Sequence, residues 1–150
     1  MTLQKIKFVR ADAEAHYASG YGCAEAVLLA LADLQEIASP LVPGMATAFC
    51  GGMARTGGTC GALTGAVLGI SLALGRSEQG EPREAVNAAV QQLVREFEQA
   101  FGYRNCDELE HLAQFASKEF EGRLGLPCAA YTGAAAEIAA CILSGHKRVS

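Results

Sequence analysis

No hairpin turn signal sits between two β-branched runs in this sequence, and those runs are short, so a sheet is not expected to organise the fold. A basic face is missing too. Twelve Lys and Arg stand against 16 Asp and Glu, for a formal charge of −4, and the pI is near 5.4, which argues against nucleic-acid binding. The lysines near Met1 have no apolar segment behind them, so a signal peptide is not expected and the reading is of a cytoplasmic protein. No Cys-x-x-Cys, no Gly-Lys-Ser/Thr of a P-loop, no Ser–His–Asp set and no internal repeat can be found. No linker is long enough to divide the chain. What remains is 150 residues, 51% hydrophobic and 19% charged, sufficient to bury one core without staples.

Helical periodicity fills most of that length. Residues 4–18 place Ile6, Val9, Ala13 and Tyr17 on one face, and Ser19-Gly20-Tyr21-Gly22 ends the pattern. A second helix is expected over residues 23–34, striped by Ala24, Val27, Leu28, Leu31 and Leu34. Pro40 and Pro43 bracket a connection, and residues 42–49 suit a short helix before a glycine-rich tight loop over residues 53–61. Thr59 is the expected N-cap of a helix over residues 60–74, with Gly75 at its exit. Gly61, Gly65 and Gly69 are spaced four apart in it, which predicts a backbone pressed against a neighbouring helix. The clearest stripe is Val86, Val90, Leu93, Val94, Phe97 and Phe101 in residues 82–101, with Pro82 in the first turn and Gly102 at the exit. A shorter helix carrying Leu109, Leu112 and Phe115 should start near Cys106. A last one should run over residues 128–143 to Gly145, followed by Lys147 and Arg148 where the dipole favours cations. The expectation is an all-α single-domain bundle of about five main helices plus short ones.

The segments 60–75 and 128–144 are apolar nearly throughout. Each is shorter than the ~20 residues a bilayer span needs and lacks anchoring aromatics, so buried central helices are expected and no membrane span.

Four of the six cysteines, Cys23, Cys60, Cys106 and Cys128, fall at expected helix starts. Unpaired N–H groups and the positive dipole end there stabilise an anion, so a thiol at such a position should lose its proton more readily. In a reducing compartment thiols stay free unless catalytic, sensing or metal-bound. Cys141, beside Ile142 and three residues after Ile138, reads as core; Cys50 reads as core or incidental ahead of redox partner.

These residues carry a resemblance. The chain resembles the redox-active proteins named for their C_GCAxxG_C_C cysteine pattern, through Cys23-Ala24, the hexapeptide Cys60-Gly61-Ala62-Leu63-Thr64-Gly65, Cys106, Cys128 and the Ala-rich segment after it. Cys50 and Cys141 are additional to that pattern. The resemblance implies a small helical protein with a redox role, often associated with transporter loci, and carries over Cys23, Cys60, Cys106 and Cys128 as the functional set.

Three functions follow from such a set, with thiol–disulfide exchange the first choice and cluster or metal binding close behind. In the first, two of the four cysteines cycle between dithiol and disulfide with a redox partner protein or a small thiol; four cysteines allow three pairings, and spacing does not choose among them. In the second, the four thiolates bind an iron–sulfur cluster or a zinc ion, although a closely spaced pair is absent. In the third, the chain is a non-enzymatic helical binding module whose cysteines are structural. The oligomeric state stays open. Gly51-Gly52, Arg55 and Gly57-Gly58-Thr59 read as a structural turn that lets Cys60 approach its partners, in preference to an anion cradle. His16, His111 and His146 read as helix-face or surface residues, with His16 placed where an imidazolium near Cys23 could lower its pKa.

Overall fold

The computed structural model describes residues 2–116 and 126–145. The described residues contain six α-helices and one 3₁₀ helix, joined by turns and loops: α1 Leu3–Ala18, α2 Cys23–Leu34, the 3₁₀ helix Gly44–Phe49, α3 Gly61–Leu74, α4 Glu84–Phe101, α5 Cys106–Ala116 and α6 Leu126–Ser144. Among the described residues no strand forms. The nearest thing to one is an isolated antiparallel bridge between Thr59 and Asn105.

Helix α6 sits at the centre, packed against α1, α2, α3 and α4. Its residues Ala134, Ala135, Ala136, Ile138, Ala139 and Ala140 are buried, and small side chains on several faces let four helices approach one. By length and composition Pro127–Ser144 could cross a membrane, and half of that window is buried inside the protein, as in a core helix. Against it α1 packs Ile6, Val9 and Ala13, the stripe its periodicity predicts. From the other side α4 contributes Leu93 and Phe97, and the Phe97, Phe101 and Tyr131 rings meet edge to face.

Helices α2 and α3 lie side by side, and the glycines of α3 are the reason. A Cβ on Gly65 would stand 2.6 Å from the Ala24 carbonyl oxygen, and one on Gly69 would stand 2.3 Å from Leu31 Cδ1. The expected close approach is therefore real and runs along successive turns. Because both helices start at the same end, it also sets Cys23 beside Cys60.

Several boundaries differ from expectation. Cys60, not Thr59, is the N-cap of α3, because the backbone of Thr59 is engaged with Asn105. The short helix begins two residues late and winds as 3₁₀. Pro82 precedes α4, whose N-cap is Arg83, whereas Gly102 takes the left-handed exit conformation as expected (φ 85°). Gly75 ends α3 in an extended conformation. Helix α6 begins at Leu126, so Cys128 is the third residue of its first turn. Cys141 is buried in the core. The side chains of Leu112 and Phe115, and residues His146, Lys147 and Arg148, lie outside what the structure describes.

Candidate functional site

Cys23 opens α2. Its helix start is fixed by Glu25, whose carboxylate accepts from the Gly22 N–H (2.9 Å) and from the Thr47 hydroxyl (2.9 Å), tying α2 to the 3₁₀ helix. Cys60 caps α3 and Cys106 opens α5. These two are held in register by the bridge: the Cys60 N–H donates to the Arg104 carbonyl (2.7 Å) and the Cys106 N–H to the Gly58 carbonyl (2.6 Å). Cys128 lies in the first turn of α6. All four line one cavity of about 420 Å³, so segments distant in sequence do converge.

The loop before α3 shapes the near wall. Gly51, Gly52, Met53, Ala54 and Arg55 are consecutive left-handed residues (φ 54° to 73°), a conformation costing roughly 1–2 kcal/mol for each residue that bears a Cβ. Such strain persists where the surroundings dictate it. Here the loop threads between the cysteine-bearing elements: a Cβ on Gly52 would meet Cys106 Cβ at 2.7 Å, and one on Gly57 would fall within 2.2 Å of the Asp107 carboxylate atoms. Gly61 fills the same role at the other wall, its missing Cβ leaving Cys23 Sγ the space it occupies (2.4 Å). Gly51, Gly57, Gly61 and Arg55 all line the cavity.

The sulfurs receive N–H donors as their helix positions require. The Ala62 and Leu63 amides donate to Cys60 Sγ, and those of Gly51 and Ala24 to Cys23 Sγ. These bonds do not win. Burial pushes the Cys60 thiol up to about 12, with Cys23 nearby adding to the shift, and burial pushes Cys23 up to about 11. Cys106 also rises to about 11, through burial and the adjacent Glu110 carboxylate, which accepts its S–H. Burial raises Cys128 against a hydrogen bond from the Tyr17 hydroxyl. Readier proton loss at helix starts is thus overturned in this protein: desolvation outweighs dipole and amides, and the free thiols stay protonated.

That result fixes a pH dependence for the metal-free protein. A thiol whose folded pKa exceeds its unfolded value stabilises the fold fully below about pH 9, and this contribution disappears as the pH climbs toward 11–12. Unfolding free energy should fall across that window, at most about 1.4 kcal/mol per pH unit for each of the well-buried Cys23 and Cys60 and less for Cys106, whose charge solvent screens. Urea titrations at successive pH values would measure it, and Cys60→Ala should flatten the slope. A flat profile in both proteins would show the thiols to be solvated.

Sequence reasoning missed two contributors and ranked a third low. Cys50, read as core or incidental ahead of redox partner, packs against the cluster of Ala24, Leu28 and Ala46 and also lines the cavity with the other four thiols. Tyr17 was assigned only to a packing stripe, yet its hydroxyl reaches Cys128. Glu110 gave no signal, although four residues after Cys106 on a helix is one turn away. His16 is not in the cavity lining; its Nε2 lies between Asp12 and Asp33 instead.

Residues 21–142 match the profile of the family described as "Putative redox-active protein (C_GCAxxG_C_C)". The chain belongs to this family. No curated protein and no solved structure matches it. The family's hexapeptide now has a physical reading: Cys60 faces the cavity, Gly61 makes room for Cys23, Ala62 is fully buried, and Gly65 admits the Ala24 backbone.

Proposed function

We propose that this C_GCAxxG_C_C protein is an electron carrier whose Cys23, Cys60, Cys106 and Cys128 ligate an iron–sulfur cluster. The observation that carries the proposal is the convergence of four thiols from four helix starts on one cavity. The donor set fits such a group: clusters are held by four thiolates, and amide N–H bonds to sulfur tune their potential. The Gly51, Ala24, Ala62 and Leu63 amides stand at two of the sulfurs, and the Arg55 cation at the rim offsets negative charge.

A single zinc ion suits the arrangement less well. With Zn–S bonds near 2.3 Å, tetrahedral sulfurs lie about 3.8 Å apart. Among the described residues no three cysteine sulfurs all lie within 4.8 Å of one another. Zinc also has no redox chemistry of its own, whereas the family is described as redox-active.

When bound, a cluster supplies a one-electron couple. The chain's own residues supply the rest: helix-start amides hold the thiolates, the glycine walls keep other side chains out, and Tyr17 donates to Cys128. Burial that keeps free thiols protonated is overcome by a metal, since a coordinating thiol is deprotonated outright.

A second reading, thiol–disulfide exchange, is favoured by one contact, the Cys106 S–H donating to Glu110, which could accept the proton as Cys106 attacks. Anaerobic purification with iron and acid-labile sulfide analysis and a visible spectrum separates the two. A brown protein containing both elements is expected. Colourless protein, or zinc alone, overturns the proposal, and a mapped disulfide to Cys106 would put exchange in its place.

A further inference from the structure

Where α1 meets the end of α2, a second group of ligand-type side chains comes together. We infer that Asp12, His16 and Asp33 form a binding site for a divalent first-row transition ion of the zinc class, independent of the cysteine cavity. Asp12 and His16 stand one turn apart on α1, and Asp33 lies near the end of α2. His16 Nε2 is 3.8 Å from Asp12 Oδ2 and 3.5 Å from Asp33 Oδ2, and the three ligand atoms all lie within 4.8 Å of one another.

The imidazole nitrogen distinguishes this trio from an ordinary acidic patch. His16 Nε2 is buried and has no hydrogen-bond partner among the described residues. Both carboxylate oxygens are too far for a good hydrogen bond, which for a charged pair closes to about 2.7–2.9 Å. They are near the right distance for a shared ion. With bonds near 2.1 Å, tetrahedral ligand atoms lie about 3.4 Å apart, so the two imidazole–carboxylate separations need close by only a few tenths of an ångström, and the carboxylate pair, within 4.8 Å, would draw together around the ion.

Charge and access agree with this. A neutral imidazole and two carboxylates balance a dication. Lys5, on the same groove, is engaged with Glu36 (3.9 Å). The Tyr21 ring packs edge-on against the imidazole at 5.9 Å and restricts its rotation. A groove of about 510 Å³ has Asp12 and Asp33 on its wall, which gives an ion a route in and leaves a coordination position for water. Imidazole selects zinc, iron, nickel or copper over magnesium or calcium. A bound ion would tie α1 to α2 and stabilise the fold by mass action.

Cobalt(II) is the probe that separates this site from the thiols, because thiolate coordination gives intense charge-transfer absorption and N/O coordination only weak d–d bands. The full chain, purified with its cysteine site as isolated, should bind one equivalent with weak bands alone, and paramagnetic shifts should centre on the His16 ring. Asp33→Asn and Asp12→Asn should each weaken that binding by at least about tenfold, the least that losing even an outer partner costs at metal sites. Glu78→Gln, an exposed position that lines neither the groove nor the cysteine cavity, should leave it unchanged. Circular dichroism checks that each variant is folded. Cobalt uptake only with thiolate charge transfer, no uptake at all, or unaltered binding in folded Asp33→Asn would overturn the inference.

Discussion

Gly65→Ala will destabilise the protein by about 3 kcal/mol, the upper part of the range for overpacking a close-packed contact, despite improving the helix propensity of α3. Alanine is worth up to about 1 kcal/mol over glycine inside a helix, so propensity alone predicts a gain. Packing reverses the sign. The new Cβ would lie 2.6 Å from the Ala24 carbonyl oxygen, 2.9 Å from its Cα and 3.1 Å from its carbonyl carbon, all backbone atoms that cannot swing aside. Helix α2 must translate, and with it Cys23. Gly69→Ala should cost less, because its contacts are to the Leu31 side chain. Gly80→Ala, with nothing within 4 Å, should be close to neutral. Chemical denaturation of the three variants checks the order. A Gly65→Ala protein as stable as the parent would mean that the two helices are not pressed together at this turn.

That ordering shows what the sequence could and could not reveal. Glycines at four-residue spacing announced close approach, because only a missing Cβ explains repeated glycine in a helix. The partner helix was not named by the spacing; it emerges from Ala24 and Leu31 facing the gaps. Likewise Gly22, Thr59, Asp107 and Pro127 placed Cys23, Cys60, Cys106 and Cys128 within a residue or two of helix starts, since caps and breakers are local signals, although Thr59 does not cap α3 and Pro127 lies inside α6. The Thr59–Asn105 bridge that brings Cys60 to Cys106 was not legible. It joins segments some forty-five residues apart by backbone atoms alone, and backbone atoms carry no sequence signature.

Burial was the other illegible quantity, and it changes the chemistry. A cysteine at a helix start reads as activated when only local dipoles are considered. Desolvation depends on what the rest of the fold places around the sulfur, and here it dominates at all four positions. Cys50 illustrates the converse. It reads as packing ahead of redox partner, and packing it has, but beside the left-handed glycine loop it also lines the cavity.

Cys60→Ser will abolish cofactor retention, and Cys50→Ser will not. Cys60 is the most enclosed of the four proposed ligands, 6% exposed, and its sulfur takes the Ala62 and Leu63 amides at the start of α3. A serine hydroxyl there keeps the hydrogen bonds and nearly the same volume, so the fold should survive; it is a far poorer ligand for iron than thiolate. Iron and sulfide per chain, and visible absorbance, should drop by about tenfold or more, the scale on which even partners outside the ligand set act at metal sites. Cys50 shares the cavity but opens no helix, and its sulfur lies against the Ala46 carbonyl at 4.0 Å, an acceptor that does not stabilise a thiolate. Its serine variant should keep full iron content. Thermal denaturation by circular dichroism separates cofactor loss from unfolding. Equal iron loss in both variants would make Cys50 a ligand, and undiminished iron in a folded Cys60→Ser protein would remove the four-cysteine site altogether.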